Sequence, residues 1–224
     1  MAEELLKNMI EYFPIILGWL FGIFSAVIIE QIKKLFTKRD IKRGIITELK
    51  ELQLRLAAIC YSSIIDYGNI SEDWAKWFKP YYKIFKESDE FDYLKDRHKS
   101  DIKIDNYTDK EFYDYLLFVQ TNNKTNEPKS TKIYPKVVLP YLNSNYNTIS
   151  LLNEKFVKNI LKLQREITKI NFDYEQVWFY HTKTFERITD NNYDVVVQNI
   201  EDISNRISVD TKHIILLIEK IISL

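Results

Sequence analysis

Two hydrophobic patterns follow one another along this chain. Near the N-terminus Tyr12 to Ile29 reads YFPIILGWLFGIFSAVII, eighteen residues without a charge. At about 1.5 Å per residue this predicts a helix of roughly 27 Å, close to the hydrocarbon thickness of a bilayer. After it the apolar positions become periodic. Ile45, Leu49, Leu52, Leu56 and Ile59 fall four, three, four and three apart, a heptad seam on one helix face. The residues between the two patterns hold no proline, so one long helix is expected to run to about Ile65, with Gly68 ending it. Gly44 costs that helix about 1 kcal/mol relative to alanine and is expected to loosen the junction.

The remaining patterns are also helical. Between Trp74 and Phe118 lies a dense aromatic block, in which Ser71 caps a first short helix and Pro80 interrupts or restarts it. Thr108 and Glu111 form a capping box for a second. Thr121 to Pro135 has no periodicity and reads as a loop. From Ile149 the positions Leu152, Phe156, Ile160, Leu163, Ile167 and Ile170 mark a long amphipathic helix. A second is expected after a break near Asn171, and the last, through Val196, Ile203, Ile207, Ile214 and Ile221, after Asn191 and Asn192. Asp194 to Val197 has the composition of a short strand, with nothing nearby to pair with it. The fold class is all-α: one N-terminal transmembrane helix followed by a cytoplasmic helical bundle. The expected divisions are an extracytoplasmic segment at 1–11, the span at 12–30, a basic juxtamembrane and amphipathic helix at 31–68 and a helical domain at 69–224.

Charge gives the span a direction. Before it the only base is Lys7, beside Glu3, Glu4 and Glu11; after it come Lys33, Lys34, Lys38, Arg39, Lys42 and Arg43. Six bases against one favour the C-terminal side as cytoplasmic and argue against a cleaved leader, which carries its charge first. Those six are expected at the membrane surface, and the chain in the inner membrane as a single-pass protein. Tyr12 is placed to anchor at an interface. Over the whole chain Lys plus Arg (32) equals Asp plus Glu (32), so no general attraction to nucleic acid is implied. Acids also outnumber bases in the aromatic block, which disfavours base stacking there and leaves core packing or a contact surface. The single Cys60 allows no internal disulfide and fits a reducing compartment. No cofactor or metal site is expected, because the chain holds no phosphate-cradling glycine loop and too few Cys and His for zinc.

Within the span Gly18, Gly22 and Ala26 fall four apart, two of them among only four glycines in the chain. Small residues on a membrane helix let a second backbone approach closely, so homo-oligomerisation is expected, through the span and through the heptad seam below it. Glu30 continues that row at the cytoplasmic rim. In an assembly it is a candidate to line a pore mouth; in a single chain it pairs with Lys33 or Lys34.

One polar constellation stands out near the C-terminus. Asp202, Arg206, Asp210 and His213 are four, four and three apart. Read structurally they are exposed ion pairs one turn apart with a surface histidine. Read chemically, Arg206 would stabilise a phosphorane and His213 shuttle its proton. His181 falls on an apolar face, as a hydrogen-bonded core histidine would, and His98 sits in a polar run. The spacing of Arg206 and His213 resembles the ribonuclease motif of HEPN domains, helical bundles whose Arg and His meet at a dimer cleft and cut RNA without metal. Ile207 stands where that family usually has a polar residue. The overall plan resembles the small single-span membrane effectors of prokaryotic anti-phage defence, including those with HEPN-like cytoplasmic bundles.

That resemblance implies a homo-oligomeric channel or membrane-perturbing protein gated by its cytoplasmic domain, in contact with lipid and with a cytoplasmic protein partner. The alternatives are a membrane-tethered, metal-independent RNase, the one reading with a nucleic-acid partner, and a non-enzymatic scaffold recruiting its partner through the aromatic block.

Overall fold

The structure, a computed structural model, describes residues 2–87, 106–126, 134–186 and 190–224. Within these helices the side chains at 2–12, 14–16, 86, 123–126 and 190–191 are not described. The side chains of the expected interface anchor Tyr12 and of Glu3, Glu4, Lys7 and Glu11 are therefore not described, and Phe91, Tyr93 and His98 lie outside the described residues. Every described element is helical: α1 (Ala2–Tyr67), α2 (Glu72–Glu87), α3 (Asp109–Asn126), α4 (Pro140–Ser144), α5 (Glu154–Lys183) and α6 (Asp190–Ile222). A 3-10 turn, Tyr146–Leu151, joins α4 to α5.

α1 dominates, a single helix of 66 residues, or about 99 Å. Its seam is occupied by the chain itself. Ile45, Leu49, Leu52 and Leu56 are buried in the common core, where α1 packs chiefly on α6, and Ile59 is partly buried. Gly68 ends the helix, its N–H bonding the Ile64 carbonyl at 2.9 Å, and a side chain there would run into Ile64. Helix registers follow from the cross-links. Cys60 Sγ donates to the Ser208 carbonyl at 3.3 Å and Gln53 reaches Glu219 at 3.2 Å, so α1 and α6 run antiparallel. Arg206 meets Asp173 and His213 lies near Glu166, so α6 is also antiparallel to α5. α6 thus lies between the second half of α1 and α5 and packs against both. Burial pushes the Cys60 thiol up to about 12, which keeps it protonated and unreactive.

The aromatic block is consumed as core beside this bundle. Phe78 stacks on Tyr61 at 5.2 Å and on Trp74 at 4.7 Å, and Tyr82 meets Phe112 edge-on at 5.4 Å. Its helices start as the sequence predicts. Ser71 Oγ accepts from the Trp74 N–H at 3.2 Å, and Thr108 and Glu111 exchange bonds of 2.7 and 3.2 Å in a capping box.

Five local expectations are corrected. Pro80 does not interrupt α2, because Trp74, Phe78, Tyr81 and Phe85 are buried on both sides of it and their packing outweighs a cost of roughly 3 kcal/mol. Residues 121–126 continue α3 rather than forming loop; 127–133 lie outside the described residues. The long helix starts not at Ile149 but at Glu154, where the Asn153 side chain caps the Lys155 N–H at 2.8 Å. It does not break at Asn171, whose amide bonds both the N–H and the carbonyl of Val137, at 2.7 and 2.8 Å, and so leaves its own backbone alone. Residues 191–197 lie inside α6, and Asp194 to Val197 are helical.

Candidate functional site

From Leu17 to Asp40 every described side chain of α1 is exposed, and burial begins abruptly at Ile41. Of the two settings open to an apolar run, a packed interior is therefore not provided by the described residues. Among the described residues no helix is long and apolar enough to cross a membrane. Residues 12 and 14–16 of the expected span fall outside the described side chains. The described uncharged remainder, Leu17 to Ile29, covers about 20 Å.

Gly18 and Gly22 have open space where a side chain would begin, so nothing within one chain requires glycine there. Ala26 is exposed on the same stretch. Each step of four residues turns a helix by about 40°, so Glu30 lies about a third of a turn from Gly18 and off its line. Glu30 accepts from Lys34 Nζ at 2.7 Å. Lys33, Lys34, Lys38, Arg39 and Arg43 are exposed. Lys42 leans inward, its ammonium 5.5 Å from the centre of the Phe156 ring.

The junction below this collar is braced. The Tyr141 ring lies where a Cβ on Gly44 would fall, so glycine admits the close approach of α4. The two N–H groups opening α4, Tyr141 and Leu142, both donate to the Glu48 carboxylate, at 2.7 and 2.9 Å. A negative group at a helix start meets unpaired donors and the positive end of the dipole. Gly44 thus fastens the junction it was expected to loosen. A cleft of about 620 Å³ opens beside it, lined by Arg43, Thr47, Glu51, Arg55 and Tyr141 among others.

Arg206 does not join the row of charges on its own helix. Its guanidinium reaches across to the buried Asp173 of α5, with Nε 3.2 Å from both carboxylate oxygens and Nη2 2.6 Å from Oδ1. Asp173 holds the guanidinium further toward its charged form. Asp202 instead accepts from Gln198 at 3.0 Å. Around this pair lie Glu166, Lys169, Asp210 and an exposed His213. Desolvation, then the nearby Asp173 charge, raises the Asp210 carboxyl above its ordinary value. A hydrogen bond from Lys169 holds Glu166 below its own. An arginine bound this way has two of its nitrogens committed before any phosphate arrives. Among the described residues no cluster of His, Cys, Asp and Glu is placed to hold a metal.

His181 is half-buried near the end of α5, between Trp178 and Phe185, and its Nδ1 has no hydrogen-bond partner. Sequence reasoning passed over three apolar residues beyond Glu30. Ile32, Leu35 and Phe36 are exposed among the lysines, at the helical spacing of three and four that should have marked them. Compared with known protein families, curated proteins and solved structures, the chain matches none of them.

Proposed function

We propose that this chain is a single-span, homo-oligomeric membrane protein with its helical body on the basic, cytoplasmic side. It acts as a channel or membrane-perturbing effector whose state is set by that body. One observation carries the reading: among the described residues α1 leaves the body unaccompanied, with apolar side chains exposed on every side, Trp19 to 70%, Phe21 to 63% and Phe24 to 60%. Full burial of one large apolar side chain stabilises by roughly 1.5–3 kcal/mol, so this run gains on the order of 10 kcal/mol by leaving water. A single protein partner covers one face of such a helix. Lipid covers all of them.

The collar of lysines and arginines supports the orientation, and the open space at Gly18 and Gly22 supports close approach of another copy there. A role in anti-phage defence rests on the resemblance of plan, with a cytoplasmic trigger acting on the body. The scaffold alternative loses its expected surface, since the aromatic block is mostly packed inside. The ribonuclease alternative would need Arg206 to leave Asp173.

The test is expression of the full chain and of Gly22→Leu in cells and in dye-loaded vesicles. The chain is expected to stay with membranes through alkaline washing and to release dye. Gly22→Leu is expected to stay in the membrane as smaller oligomers without leakage. A chain that purifies without detergent overturns the anchor, and leakage unchanged by Gly22→Leu overturns the pore. Alanine at Arg206 and His213 together is expected to leave leakage intact; loss of RNA cleavage and toxicity together would instead support the nuclease.

A further inference from the structure

The exposed side of α1 does not stop at the membrane boundary. Gly22, Ser25, Ile29, Ile32 and Phe36 advance by three and four residues, one continuous line along the helix. The same step carries the line through Asp40, Arg43, Thr47 and Glu51, all exposed. The buried stripe through Ile41, Ile45, Leu49 and Leu52 lies on the other side. A neighbour approaching the line is therefore turned away from the buried stripe, and below Asp40 it meets only the edge of α4, where Pro140 and Tyr141 share a cleft with Arg43, Thr47, Glu51 and Arg55.

Two features of the line ask for an occupant. Phe36 is 60% exposed although it lies past the end of the uncharged run, among Lys33, Lys34, Lys38 and Arg39. Lower down, Asp40 and Arg43 are three apart and Glu51 and Arg55 four apart, yet among the described residues none of the four forms an ion pair. Acid and base at this spacing, left open in one chain, are complementary to a parallel copy, where each acid reaches the base one turn along its neighbour. An antiparallel copy would place the spans on opposite sides, which one membrane forbids.

We infer that a second, parallel copy of this chain docks along the outward face of α1 from Ile29 through Phe36 to Arg55. The inference rests on the membrane-anchored reading above and extends its contact well below the bilayer. Ile32 and Phe36 form a dry juxtamembrane layer, and the open pairs of Asp40 with Arg43 and Glu51 with Arg55 close between copies. The cleft beside Tyr141 lies along this face and admits the neighbour's longer side chains. A left-handed crossing of about 20° keeps two such helices together over this length.

Single cysteines introduced along α1 of the full chain, oxidised in native membranes, test this directly. The unmodified chain is the blank, because Cys60 is buried. Disulfide-linked dimer is expected at Ile29→Cys, Ile32→Cys, Phe36→Cys and Thr47→Cys, with minima at Lys34→Cys and Lys38→Cys on the opposite side. Arg43→Glu with Arg55→Glu should lower the yield at Thr47→Cys by about fivefold, and adding Asp40→Arg with Glu51→Arg should restore it. Maxima at 34 and 38, or yields indifferent to charge reversal, overturn the assignment. Cross-links at Gly18→Cys and Gly22→Cys with none from 32 to 47 overturn it while leaving the anchored oligomer standing. Absence throughout removes both. The remaining candidate occupant, lipid headgroups, predicts labelling of Leu35→Cys and Phe36→Cys by lipid-borne reagents and no dimer, which also overturns the assignment.

Discussion

From Asp40 toward the N-terminus α1 holds Trp19, Phe21, Phe24 and Phe36 out into its surroundings; from Ile41 onward the same helix buries Ile45, Leu49 and Leu56 completely. Backbone geometry does not change at the boundary. What changes is the distribution of side chains: apolar on all sides above, apolar on one stripe below. The stripe finds α6 and the core built on it, so its stability is tertiary. The all-round segment has no neighbour among the described residues, so what stabilises it is not the described body. Hydrophobicity alone would rank the upper half as the better core. Pattern, rather than amount, separates a core helix from one that needs another solvent.

The comparison is broken most severely from the lower half. Leu56→Ala is expected to cost about 2–5 kcal/mol in denaturant unfolding of the body, while Ile28→Ala changes it by less than about 0.5 kcal/mol. Equal losses at the two positions would mean that the upper half folds with the body after all. A smaller effect is expected at the polar link between α5 and α6. Arg206→Ala strands the buried Asp173 carboxylate and should destabilise by about 3 kcal/mol, with Arg206→Lys recovering part of it. If Arg206→Ala leaves unfolding untouched but abolishes an activity, the guanidinium serves a substrate rather than the bundle.

The smallest effect is a pH dependence. Asp210 has its pKa raised by desolvation first, so what it contributes is present at low pH and is lost as pH rises through its raised value. Asp210→Asn should therefore raise the melting temperature at neutral pH, with the gain vanishing below about pH 4, where the unfolded carboxyl is protonated too. Glu166, lowered by its bond from Lys169, has the opposite sign. Its contribution is present above the ordinary carboxylate range and is lost on acidification, so Glu166→Gln should bring no such gain at neutral pH.

Much of the architecture was legible from spacing. The seam through Leu49 and Leu56, the stop at Gly68 and the capping box of Thr108 and Glu111 are local signals, and each is found where its residues stand. What could not be read depends on which helices meet. Asp173 as the partner of Arg206 requires the register of α5 against α6, which no spacing within α6 reveals. Asn171 looked like a breaker because its partner, Val137, belongs to a distant segment. Pro80 is outvoted by aromatic neighbours whose packing partners include Tyr61 on another helix. The apolar residues Ile32 and Phe36 were visible but overshadowed by the lysines around them.

The fastening of α4 onto α1 has a mechanical consequence. With the Tyr141 ring seated on Gly44 and Glu48 gripping the start of α4, the helix has no soft point where it leaves the body. The part beyond it, about 60 Å long, then behaves as the arm of a lever. A rocking of the body by about 10° would sweep the far tip through roughly 10 Å, as much as the distance between two packed helix axes.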